Sequence, residues 1–160
     1  MTNRTTVIHL TEDMAVGGQE KVIATLAAGL DPCRFKVEVW CLARGGAMAD
    51  SLRQSGAAVR VLNLSSYHNP LNVLRLARHL RRAGAGIVHT HGSFAGTFGR
   101  LSAILAGKRA VVAHVHTTHI GSSRRHAHIE RFLAPFPQRL GHRGCRSPLR
   151  GGTRPLPWRK

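Results

Sequence analysis

The run Val7-Ile8-His9-Leu10, followed by Met14-Ala15-Val16-Gly17-Gly18-Gln19-Glu20, decides how the rest of this chain is read. A short apolar run ends, a glycine pair follows, and a helix-like stretch extends from Glu20 to Leu30. Strand, glycine loop and helix start form a βα turn suited to an anion. Glycine lets the backbone approach a ligand closely, and the first helical N–H groups point towards it. Two readings of Gly17 and Gly18 stand side by side: a seat for a phosphorylated ligand, or a tight turn needing glycine for its shape alone. Two phosphate folds are excluded. No G-x-G-x-x-G follows a strand, and no Gly-Lys-Ser/Thr occurs anywhere.

Outward from this turn, residues 1–119 alternate strand-like and helix-like patterns. Strands are expected at Val7–Leu10, Val37–Leu42, Val59–Leu62, Ile87–His91 and Ala110–His116. All are short, β-branched and nearly continuous in apolar character, like strands buried on both faces. Helices are expected between them. Glu20–Ala28 turns Ile23, Leu26 and Ala27 to one side and stops at Gly29 and Pro32. Ala47–Gln54 ends before Gly56. Leu71–Arg82 starts from Asn69 as N-cap with Pro70 at the first helical position. Phe94, Phe98, Leu101 and Leu105 form a helical stripe capped by Gly107. The alternation predicts an α/β, Rossmann-like, doubly wound parallel sheet. With strand order 3-2-1-4-5, ligands bind where the order reverses, outside the carboxyl ends of strands one and four. The Gly17-Gly18 loop, the His91-Gly92-Ser93 loop and the His116–His119 segment would then line one crevice, which favours the ligand reading of the glycine pair.

Composition sets the outer bounds. A length of 160 residues with 42% hydrophobic content fits one globular domain with a real core. Aromatic content of 5% leaves that core to Leu, Val, Ile and Ala. No signal peptide and no apolar run near the ~20 residues of a membrane span is present, so a cytoplasmic location is expected. Cys33, Cys41 and Cys145 lack C-x-x-C spacing and read as free thiols. The net charge of +17 divides unevenly: +8 over residues 1–119 and +9 over residues 120–160. It describes two segments rather than one nucleic-acid surface, and no specific nucleic acid is expected as a partner.

The eleven histidines supply the candidate chemistry. His89 and His91 share a strand face, as do His114 and His116. Four imidazoles from neighbouring strands make a potential metal cluster. Against it, carboxylates are remote in sequence, and the His89-Thr90-His91 similarity to the H-x-H of amidohydrolases falls on the fourth strand, not the first. The balance is against a metal, and His89 and His114 are expected to be satisfied inside the sheet. His116 and His119 sit at the crevice edge, where an imidazole can donate to a substrate hydroxyl or phosphate.

Taken together, these residues resemble the N-terminal domain of a GT-B glycosyltransferase of the retaining family 4. The resemblance covers about residues 5–136. It rests on the strand ending His9-Leu10, the Gly17-Gly18-x-Glu20 loop, the Asp31, Phe35, Val37, Val39 pattern, the fourth strand Ile87–His91 and the His-Thr at the end of the fifth. It implies transfer of a sugar from a nucleotide-diphosphate sugar to a sugar or lipid-linked acceptor, without a metal or other cofactor. Gly17, Gly18, Gln19 and Glu20 would form the loop facing donor phosphate and acceptor. His91, Gly92 and Ser93 would line the acceptor side. His116, with His119 as second choice, would face the reacting sugar. In that family the nucleotide sugar sits mainly on a second domain carrying Glu-x7-Glu. Here Glu130 is the last acidic residue, so the chain by itself is expected to be a truncated, inactive half.

Residues 137–160 contain seven basic residues, four Pro, four Gly and no acid. They are expected to form a disordered basic tail after a domain ending at residue 136. With 20 Arg against 4 Lys, the gene is read as GC-rich, and a frameshift near Phe136 would produce such a tail. Helix Leu71–Arg82 carries Arg75, Arg78, Arg81 and Arg82 beside four leucines. It is either a crossover helix with a solvated basic face or a peripheral membrane contact. The competing functions are a metal-dependent hydrolase built on the strand-end histidines and a basic binder of nucleic acid or anionic surfaces.

Overall fold

A computed structural model describes residues 4–64, 69–108 and 110–114. Strand β1 (Thr5–Thr11) leads into α1 (Gly18–Gly29), β2 (Phe35–Cys41), α2 (Ala47–Gln54), β3 (Ala58–Val61), α3 (Pro70–Arg82), β4 (Ile87–His91), α4 (Ser93–Leu105) and β5 (Ala110–His114). The five strands form one sheet in the order β3-β2-β1-β4-β5. Every pair is parallel. The order therefore reverses between β1 and β4, as expected. The tail and the rest of the 137–160 expectation lie outside the described residues.

The central strands β1, β2 and β4 bury both faces over their carboxyl-terminal halves, because helices cover each side, whereas the edge strands β3 and β5, expected to be buried alike, are partly exposed, with Val112 at 47%. On one side Ile8, Leu10, Trp40, Leu42 and Val88 meet Leu76 and Leu80 of α3 and Ala95, Phe98 and Ala103 of α4. On the other, Val39 and Cys41 meet Ile23 of α1 and Ala49 and Leu52 of α2, with Met14 from the first loop. Helix α3 starts as expected: the Asn69 side chain accepts from the Leu71 N–H at 3.0 Å, and Pro70 occupies a position whose N–H has no helical partner. Cys33 is exposed and Cys41 buried, and both are free thiols.

Two helix faces differ from the expected stripes. In α1 only Ile23 is buried, while Leu26 is 37% exposed. In α4, Leu105 is half exposed, and the buried face runs through the small residues Ala95, Gly96, Gly99, Ser102 and Ala103 beside Phe98. The cause is close approach to the sheet. A Cβ on Gly99 would stand 2.7 Å from Thr90 Cγ2 and 2.9 Å from Leu10 Cδ1, so a larger residue would push the helix off β1 and β4.

Strand β2 also buries a charge. Glu38 is 3% exposed; it accepts from Trp40 Nε1 at 2.9 Å and from Lys36 Nζ at 2.9 Å, and forms an ion pair with Arg60 Nε at 3.4 Å. Burial raises the Glu38 pKa, but the hydrogen bonds from Lys36 and Trp40 and the charges of Lys36 and Arg60 outweigh it and hold the carboxyl below its ordinary value.

Candidate functional site

The loop from β1 to α1 is fixed from below before it reaches the glycine pair. Met14 is fully buried; its N–H donates to the Gly45 carbonyl at 3.2 Å, and its carbonyl accepts from the Met48 N–H at 3.1 Å. Gly46, at φ +145°, packs against this segment so closely that a Cβ would stand 2.8 Å from the Ala15 nitrogen. Asp13 adds an ion pair to Arg44 at 3.3 Å. The β2–α2 loop thus holds the β1–α1 loop, and Val16 is left 72% exposed at its tip.

The turn's shape does not call for glycine at either position of the pair. Gly17 is the N-cap in an extended conformation, φ −166°, that any residue adopts. Gly18 opens the helix, and no described atom lies within 4 Å of where its Cβ would stand. A Cβ on Gly17 would meet only the carboxylate of Glu20, the movable end of a flexible side chain. The first helical hydrogen bond runs from the Lys21 N–H to the Gly17 carbonyl at 3.3 Å. The N–H groups of Gly18, Gln19 and Glu20 therefore lie outside the helical ladder, with Glu20 placing one negative charge beside them.

Gln19 joins this loop to the other side of the switch point. Its Nε2 donates to Thr11 Oγ1 at 3.0 Å, and that hydroxyl donates to the Asp13 carbonyl at 3.0 Å. Its Oε1 lies 2.8 Å from where a Cβ on Gly92 would stand. Gly92 needs to be glycine twice over, since its φ of +77° is also a conformation that side chains disfavour. Its N–H donates to the His114 carbonyl at 3.0 Å and its carbonyl accepts from Gly96 at 2.9 Å, so β4, β5 and α4 are knotted at one residue. Ser93 is exposed at the start of α4. The two loops come together at Gln19 and Gly92; His116 and His119 lie outside the described residues.

Beneath these loops the histidines gather on one sheet face. His9 of β1 is in register with His89 of β4, and His91 with His114 of β5. The His89 and His91 rings stand 4.2 Å apart, confirming their shared face, and His9 lies 5.0 and 5.3 Å from them. His9 Nδ1 and His91 Nε2 are 3.1 Å apart. His114 stacks near this group, 5.9 Å from His89 and 5.6 Å from His91. His9 and His91 are each 1% exposed. Burial pushes His9 down to about 4, so it is neutral at pH 7. Beside His9 and His89 a groove of about 320 Å³, walled by Leu26, Leu30 and Phe35 among others, opens under α1.

His9 belongs to this group although it stands outside the four-imidazole cluster expected from His89, His91, His114 and His116. Its signal was the register itself: pairing β1 with β4 from their apolar runs sets His9 opposite His89. His91, expected to line the acceptor side, is instead buried at 1% exposure in this group, because its ring faces His9 and His89 beneath the loops.

No curated protein sequence matches the chain. The family model described as Glycosyltransferase Family 4 matches residues 16–148, a span that includes the Gly17-Gly18 loop and runs beyond Phe136. Among the described residues no helix is long and apolar enough to cross a membrane. With most of its length matched and the parallel sheet to carry it, the chain belongs to glycosyltransferase family 4.

Proposed function

We propose that this domain forms the acceptor-side wall of a sugar-transfer cleft, in an enzyme that moves a sugar from a nucleotide-diphosphate donor with retention and without a metal. The observation that carries this reading is Gln19, which ties Thr11 on one side of the switch point and meets Gly92 on the other. The loops after β1 and β4 thereby meet at the switch point of the sheet, the place where ligands of such sheets bind. Open space at Gly18 and N–H groups outside the helical ladder suit a diphosphate oxygen. The leaving diphosphate would be stabilised by backbone donors and positive charge, with His116 or His119 facing the sugar. Ser93 and Gly92 would contact the acceptor.

On this reading α3 brings the cleft to a lipid-linked acceptor at the cytoplasmic membrane face. Its leucines divide: Leu76 and Leu80 are buried, while Leu71 and Leu74 are 55% and 54% exposed beside the exposed Arg75 and Arg78. Exposed leucine next to arginine suits an anionic bilayer surface.

The test is nucleoside diphosphate release from UDP-, GDP- and dTDP-hexoses, with short oligosaccharides and a polyprenyl-linked lipid extract as acceptors. The chain alone should release little, and release should appear when it is fused to the donor-side domain of a family-4 enzyme. Gln19→Ala in the fusion should then cut release at least tenfold with the fold intact. Release that is absent for every donor, or indifferent to Gln19→Ala, refutes the assignment.

A further inference from the structure

We infer that His9, His89 and His91 form a binding site for a borderline divalent metal ion, with zinc the first choice. Neighbouring parallel strands lie about 4.8 Å apart, and alternate residues of one strand share a face. Two histidines at i and i+2 on β4, with a third in register on β1, therefore occupy three adjoining points of one sheet face. One ring nitrogen from each falls within 4.8 Å of the other two. Zinc–imidazole bonds of about 2.0–2.1 Å place tetrahedral ligand atoms ~3.3 Å apart, so small ring rotations close the set.

A second observation points to a ligand. His9 Nε2 is buried without a hydrogen-bond partner, although Nδ1 of the same ring lies 3.1 Å from His91 Nε2. A buried imidazole nitrogen left unmade costs free energy whichever tautomer it takes, and a metal ion is a partner that uses the lone pair directly. The donor set is imidazole alone, with no carboxylate in the group, which selects zinc, nickel or copper over magnesium or calcium. The groove under α1 reaches both His9 and His89 and gives the ion a way in. Three protein ligands leave one position for water, with the His114 ring alongside. The bound ion would pin β1 to β4 directly below the crevice. The site stands independently of the sugar-transfer reading and adds a metal that reading does not use.

The experiment uses the full 160-residue chain, stripped with chelator and titrated with Zn²⁺, Co²⁺ and Mg²⁺. One Zn²⁺ per chain at sub-micromolar dissociation constant, no Mg²⁺ binding, and the intense visible bands of tetrahedral Co²⁺ are expected. His9→Gln and His89→Gln should each lower zinc affinity at least a hundredfold, while the double substitution His126→Gln/His128→Gln leaves it unchanged. A variant that fails to fold is replaced by wild-type chain loaded with Cu²⁺ and treated with ascorbate in air, where ascorbate reduces the copper and dioxygen, reduced at the Cu⁺ to peroxide, oxidises the ligating histidines. Oxidation on the peptides holding His9 and His89–His91 supports the site. Oxidation confined to other histidines, zinc binding that survives both single substitutions, or no zinc binding at all overturns it.

Discussion

Substituting Gly18 by alanine separates what the fold needs from what a ligand needs. Gly18 is the first residue of α1, and no described atom lies within 4 Å of the position its Cβ would take. Alanine in a helix is favoured over glycine by up to ~1 kcal/mol, less in the first turn, and it also narrows the unfolded ensemble. The expected result for Gly18→Ala is stabilisation of about 0.5 kcal/mol, a rise of roughly 1–3 °C in Tm for a domain of this size. A diphosphate held against the Gly18 backbone would meet the new methyl group, and nucleoside diphosphate release in the fused enzyme should fall at least tenfold. Thermal melting and the release assay on one protein preparation decide the matter. A fall in Tm would mean that the turn does require glycine at this point. An unchanged release rate with a raised Tm would mean that no ligand approaches the loop, and the phosphate reading of the pair would be lost.

Three further outcomes follow from the packing and the charges. Gly99→Ala should destabilise by about 1 kcal/mol, because an overpacking cost of roughly 1–3 kcal/mol outweighs a helix gain near 1, whereas Gly96→Ala, with no described atom within 4 Å, should stabilise; denaturant midpoints that move the other way contradict the α4 packing. In metal-free protein, unfolded His9 takes up a proton near pH 6.5 that the native state refuses until about 4, so stability falls across that window by about 3 kcal/mol and levels off below it. Urea titrations from pH 7 to 4 should show this loss, and His9→Gln should flatten it; identical pH profiles would exclude a buried neutral His9. Leu71→Ser combined with Leu74→Ser should weaken binding to vesicles rich in anionic lipid by about tenfold to thirtyfold, given ~1 kcal/mol for each half-buried leucine. Unchanged vesicle sedimentation would reduce α3 to a crossover helix.

Strand positions and helix starts are legible in the sequence because they are local. Asn69-Pro70 encodes a cap in two residues, and apolar runs alternating with helical stripes point to a parallel sheet, while the reversal between β1 and β4 follows from the common order 3-2-1-4-5 and not from any local signal. Partnerships that exist only after strands align are not. His9 looked like an ordinary strand residue until register set it against His89. Glu38 sits between Val37 and Val39, and nothing in that run announces a carboxylate held by Lys36, Trp40 and Arg60. The α4 stripe was misjudged at Leu105 because periodicity weighs large apolar residues, while this helix docks through Gly99 and Ala103. Gln19 escaped notice as an individual because an amide beside two glycines reads as a loop residue until Gly92 comes to meet it.

The bond from Gln19 to Thr11 joins two neutral groups. Salt screens interactions between exposed charges over about 10 Å at 0.1 M, and this chain, at +17, carries many such charges. The contact that holds the Gln19 side chain beside the Gly92 turn is not among them. Ionic strength will therefore alter how fast charged molecules arrive at this surface far more than it alters the shape they find, so salt dependence measured on binding reads out encounter rather than deformation of the cleft.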